Sequence, residues 1–194
     1  MDNYEITWYM HELAMHSWGV DREFRALEAA IADSYTVQTR IVWFHLTSFL
    51  SHASMISKYL DPIRKNKIQK QRMDVLRKKL GVDRHCHILS RDARDNVEHF
   101  DERIDNWVGQ GKQAVLEVVL PDRAGYDFLA ADGKRIKRVL LAAEMVFVSE
   151  KRDGCKLEFK LRPLAADAKK IGDNATRWIV DESPYHFIFP QKGG

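Results

Sequence analysis

Arg94 and His99 stand five positions apart in the stretch RDNVEH, with Asp95 directly after the arginine. Histidine titrates near neutral pH, so it can take the proton of a ribose 2′-hydroxyl or return one to a leaving oxygen. The planar fork of arginine grips two phosphate oxygens and can hold the charge that develops on phosphorus. Asp95 can fix either the His99 ring or the Arg94 fork. These are the residue types needed for RNA to be cut by its own 2′-hydroxyl, without a metal ion.

The spacing alone carries no weight. With 16 arginines and 8 histidines in 194 residues, about 0.7 Arg-x4-His pairs are expected by chance, and two occur. The other is Arg40–His45 in RIVWFH, where bulky apolar residues intervene and make His45 a structural residue near the core. Placement separates the two pairs. A helix is expected from Arg84 to Val108, capped by Asp83 and stopped at GQG (109–111), about 37 Å long. Its apolar positions Leu89, Ala93, Val97, Phe100, Ile104 and Trp107 fall at steps of three and four and form a bundle seam. His99 is turned away from that seam, together with Asp95 and Glu102, and Arg94 lies about 140° round the helix from it. Two such helices meeting across a two-fold axis would bring arginine and histidine into one cleft. The plainer alternative for Arg94 is an i+4 pair with Glu98, worth a few tenths of a kcal/mol.

The elements around this helix read as more helices. Residues 3–16 form a short amphipathic helix ending near Gly19, and Asp21 can cap the next. From Arg22 to Leu60 there is no proline or glycine, so one long helix or two with a bend is expected before Pro62. Ile63–Leu80 is a basic helix that Gly81 ends. Its run RKNKIQKQRMDVLRKK (64–79) carries eight basic side chains and one acidic one, and KRIKR (134–138) is a second basic knot. Such patches suit a polyanion, and Arg64, Lys65, Lys67, Lys70 and Arg72 are the candidate RNA contacts. A solvated helix face is the commoner fate of any one basic run.

After Gly111 the pattern changes. QAVLEVVL (113–120) is a short β-branched run stopped by Pro121. Alternating runs around Asp153-Gly154 predict a hairpin over 145–161. A final helix is expected over 165–182, and the tail YHFIFPQKGG is apolar enough to dock. The fold class is mainly α: an antiparallel helical bundle with a small C-terminal antiparallel β hairpin or sheet and a last helix. Residues 1–111 make the bundle, and 112–194 pack as an extension of the same domain.

Composition narrows the function classes. A 45% hydrophobic, 30% charged chain with net charge +3 is globular. Cys86 and Cys155 form no disulfide framework, the N-terminus is no signal peptide, and IVWFHLTSFL (41–50) is too short to span a bilayer. A cytoplasmic protein without a membrane partner is expected. In RHCHIL, His85 and His87 point about 200° apart on a helix, so they cannot easily share an ion with Cys86. HELAMH, with His11 and His16, is not the His-Glu-x-x-His of zinc proteases. Neither a metal nor a cofactor is expected. Trp43, Phe44 and Phe49 read as bundle core.

RDNVEHFDERID resembles the Arg-polar-x3–5-His signature of the HEPN superfamily, the higher eukaryotes and prokaryotes nucleotide-binding domains, with Arg94, Asp95 and His99 at the matching positions. The likeness covers about residues 20–110. It implies a compact helical bundle and a metal-independent endoribonuclease. It further implies a homodimer with the motif helices at its interface, and a toxin–antitoxin or antiviral defence setting, with an antitoxin or neighbouring defence protein as partner. Two features depart from the family: Phe100-Asp101 follow where some toxin members have His-x-Tyr, and the hairpin is no part of the minimal bundle. Some members have lost the catalytic pair and only bind, so a non-catalytic nucleic-acid or protein binding module is the alternative.

Overall fold

The computed structural model describes residues 1–32, 39–63, 66–90, 102, 104, 105, 108, 116–131, 136–150 and 155–185. Arg94, Asp95 and His99 lie outside the described residues, as do Arg64 and Lys65. The elements are α1 (Asn3–Ala32), α2 (Thr39–Leu60), α3 (Lys67–Leu80), a 3-10 turn (His87–Leu89), β1 (Leu116–Leu120), α4 (Arg123–Ala131), β2 (Ile136–Leu141), β3 (Val146–Glu150), β4 (Lys156–Lys160) and α5 (Leu161–Glu182). The protein is mainly helical with a small four-stranded mixed sheet.

α1 is the central helix. It opens on a reciprocal cap: the Asp2 side chain accepts from the Glu5 backbone N–H at 2.9 Å, and the Glu5 side chain accepts from the Asp2 N–H at 3.0 Å. Ile6, Met10, Leu13, Val20 and Leu27 are fully buried along one of its faces. α2 and α5 pack along it on two sides and meet each other at few positions. The expected stop near Gly19 is corrected: α1 runs straight through it. A Cβ at Gly19 would meet the His52 ring at 2.6 Å, so this glycine lets α2 come close rather than ending a helix. On the α5 side the small residue comes from the partner helix. A Cβ at Gly172 would lie 2.0 Å from Ser17 Oγ.

α3 begins at Lys67 rather than Ile63, because Asn66 and Gln69 form a capping box there, and Gly81 ends it at φ +63° as expected. α5 begins at Leu161, four residues earlier than expected, directly off β4; the Leu161 N–H donates to the Met145 carbonyl at 2.9 Å. Pro163 sits in the first turn, where no helical hydrogen bond is lost.

The sheet order is β1-β2-β3-β4. The hairpin β3–β4 is antiparallel with Val146 opposite Lys160 and Glu150 opposite Lys156, within the expected span. The expectation of a purely antiparallel element is corrected: β1 and β2 are parallel, joined over α4. Parallel neighbours need a crossover of about a dozen residues, which α4 supplies. The strands alternate. Leu140, Phe147 and Phe159 join the helical core, while Val139, Leu141, Val146 and Val148 form a second cluster with Tyr126 and Leu129 of α4. Trp43 of α2 meets Phe147 edge-on at 6.3 Å and ties the layers together. One core therefore draws on both sides of residue 111.

The expected helix from Arg84 is also corrected at its start. Residues 84–86 are turns and irregular chain, and 87–89 a 3-10 turn. Asp83 accepts from the His85 N–H at 2.6 Å, and Asp167 of α5 accepts from the His87 N–H at 2.6 Å. Both bonds hold the chain out of an α-helix. Farther along, Glu102, Ile104, Asp105 and Val108 are helical, and Ile104, expected in the seam, is 42% exposed. Phe49 is core as expected, but Phe44 is 64% exposed.

Candidate functional site

The described residues with the densest titratable chemistry lie where α1 meets α2. Glu12, His16 and Glu23 share one stripe of α1, at steps of four and seven. His45, His52 and Tyr59 share one stripe of α2, at steps of seven. The helices run antiparallel, so the stripes pair in reverse order. Tyr59 donates its hydroxyl to Glu12 at 3.3 Å, His16 Nδ1 meets His52 Nδ1 at 3.0 Å, and His45 Nδ1 meets Glu23 Oε2 at 2.7 Å.

Each pair has its own chemistry. In His16–His52 one imidazole donates and the other accepts, so the contact survives only while at least one ring is neutral. Burial lowers the His16 pKa, His52 lowers it further, and Glu12, 3.6 Å from Nε2, acts the other way. His11, one face away, is lowered by burial too. Burial raises the Tyr59 pKa, and Glu12 adds to that. Glu23 is almost wholly buried and orients the half-buried His45 ring. That carboxylate–imidazole pairing fixes a tautomer, which is how a histidine is prepared for acid–base work. The sequence reading placed His45 near the core but did not find its partner, 22 positions away. The heptad recurrence of polar residues at 45, 52 and 59 was the available signal.

The basic run beside this seam divides into two jobs. Arg72 donates to the carbonyls of Lys58 and Tyr59 at 3.0 and 3.3 Å and lies over the rings of Tyr9 and Tyr59. Arg77 donates to the Leu60 carbonyl at 2.7 Å and pairs with Asp61 at 3.2 Å. Together they close the C-terminus of α2, whose last carbonyls have no partner within the helix. Lys67 and Lys70 are exposed on α3. Of the described candidate RNA contacts, those two face solvent, and Arg72 is turned into the fold. KRIKR is likewise partly structural: Lys137 is buried and paired with Glu150, and Arg138 pairs with Glu117 beneath Trp43.

The RHCHIL segment lines a cleft of about 150 Å³ with Gly81, Asp167 and Lys170. Asp167 Oδ2 accepts from the Cys86 thiol at 3.3 Å and contacts His87 Nδ1 at 3.1 Å. Burial pushes the Cys86 thiol up to about 12, so it stays protonated and is a poor nucleophile. His85 and His87 are exposed. Among the described residues no three His, Cys, Asp or Glu side chains are placed to hold a metal ion. A larger apolar cleft of about 440 Å³ opens between Ile31, Val42, Val119 and Pro121. No described helix is long and apolar enough to cross a membrane.

The chain matches no protein-family model, no curated protein and no solved structure.

Proposed function

We propose that this chain is a HEPN-like, metal-independent endoribonuclease that acts as a homodimer. His99 serves as the acid–base group, Arg94 as the holder of phosphate charge and Asp95 as their support. The observation that carries this reading is the complete Arg94-Asp95-x3-His99 set in a mainly helical chain. Exposed Lys67 and Lys70 on α3 supply phosphate contacts, which makes binding fall as salt rises. A toxin or defence role, with an antitoxin as partner, belongs to the same reading.

The test is RNA cleavage in excess chelator by wild type, His99→Ala and Arg94→Ala. Wild type should cut, and each variant should lose about 10²–10⁴-fold in rate. Cleavage that needs added metal, or that His99→Ala leaves intact, would overturn the assignment. The second reading is a binding module without turnover. It is favoured by the departure at Phe100-Asp101, and it predicts salt-sensitive RNA binding that survives His99→Ala.

A further inference from the structure

His16 and His52 make the middle rung of the ladder between α1 and α2, and their contact depends on where protons sit. Glu12 Oε2 lies 3.6 Å from His16 Nε2 and draws the proton of the neutral ring to that nitrogen. His16 Nδ1 is then the acceptor of the 3.0 Å contact, and His52 Nδ1–H is the donor. A first added proton fits on His52 Nε2, away from the contact, and leaves a charged donor in place. A second has only His16 Nδ1, which already faces that donor. It removes the acceptor and sets two cationic rings against each other with centroids 5.3 Å apart. Arg72 of α3, over the Tyr59 ring at 5.6 Å, adds a third positive charge, and the Tyr59 ring itself lies 6.5 Å from His16. Burial holds the Tyr59 hydroxyl above its usual pKa, so it supplies no compensating negative charge.

The His52 ring stands over Gly19, where a Cβ would lie 2.6 Å from its Nδ1 and 2.7 Å from Cδ2 and Cε1. The α1 backbone bars the ring from moving inward, so relief of the repulsion takes it away from α1. The neighbouring rungs hold. Glu23–His45, at 2.7 Å, becomes a full ion pair when His45 is protonated, and Glu12–Tyr59 contains no histidine. We propose that His16–His52 is a two-proton latch: the first proton leaves it closed, and the second drives the His52 ring off Gly19 and opens the α1–α2 seam at that one rung. Burial and the facing His52 ring lower the His16 pKa from its usual 6.5, against the pull of Glu12, so opening belongs to acid below that pH. The latch stands apart from RNA cleavage and needs neither Arg94 nor His99.

The test is a magnetic-resonance titration of the full-length, nitrogen-15-labelled chain from about pH 7.5 to 5, the range in which histidines change charge. A coupling through the hydrogen bond between the His16 and His52 Nδ1 nuclei should be present at the start. It should survive the first proton and vanish with the second. In step with that loss, hydrogen-exchange protection of the amides at residues 17–21 should fall roughly tenfold, while residues 24–28, past the Glu23 rung, keep theirs. In His52→Asn the drop at 17–21 should disappear. Absence of the coupling at pH 7.5, rings that titrate independently of each other, or protection lost evenly along α1 would each overturn the latch. So would a drop at 17–21 that His52→Asn leaves unchanged.

Discussion

α1 is held on two sides by different chemistry. Toward α5 the buried contact is made of small residues and hydroxyls: Ser17 donates to the Ala168 carbonyl at 2.7 Å, Gly172 lies against Ser17, and Thr7 meets Ser183, with an exposed ion pair, Arg162–Glu28 at 3.2 Å, beside them. None of these groups titrates near neutral pH. Toward α2 the contact is a ladder of Glu12–Tyr59, His16–His52 and Glu23–His45. Both sides reach close approach through one glycine. The difference teaches that a single helix can own one interface without histidine and another whose polar contacts turn on three of them.

The sharpest break of this comparison is Gly172→Ala. The new Cβ would sit 2.0 Å from Ser17 Oγ and 2.4 Å from Ser17 Cβ, so the helices must part. About 3 kcal/mol should be lost in urea unfolding. Ser17→Ala should not rescue it, because the Cβ clash remains, and Ser17→Gly should in part. Next is Glu23→Ala, which strips a nearly buried carboxylate from His45 and should cost about 2 kcal/mol. Gly19→Ala should cost less, about 1 kcal/mol: its Cβ meets the His52 ring at 2.6 Å, but a ring can shift, and alanine returns about 1 kcal/mol of helix preference.

The smallest effect is the titration of the ladder. The folded state lowers the His16 pKa, so it prefers the neutral ring. That preference adds stability in full above the unfolded value of 6.5, and it is lost as pH falls through 6.5 toward the lower folded value. His11 contributes with the same sign. Unfolding midpoints should therefore drop between about pH 6.5 and 5, and His16→Asn should make the drop shallower. A His16→Asn profile as steep as wild type would remove the ladder from the explanation.

Elements marked by local chemistry were legible in the sequence. Pro62 follows the end of α2, Gly81 ends α3, and alternation revealed the β3–β4 hairpin. What escaped depends on partners far along the chain. Gly19 has the same sequence signature whether a helix stops there or a second helix leans in, and only His52 decides. Residues 84–89 have helical spacing, but Asp167, some 80 positions away, takes the His87 N–H and holds a different turn. Arg72 and Arg77 read as a polyanion patch because nothing local shows the bare carbonyls of Lys58, Tyr59 and Leu60 that they cap. At the candidate site, the residue types were readable and the pairings were not. His45 was placed near the core, while Glu23 became visible only when α1 and α2 were aligned.

α1 completes its packing on α5, far along the chain. Ser17 waits for Ala168, 151 positions downstream, and Thr7 waits for Ser183, 176 positions downstream. A ribosome adds about 5–20 residues each second, so α1 stands with one flank bare for on the order of ten seconds after it is made. α2 arrives early and can shield the histidine side, but the flank around Ser17 has no native cover until α5 has been made. A stop codon anywhere before α5 therefore yields a product with its central helix half clothed.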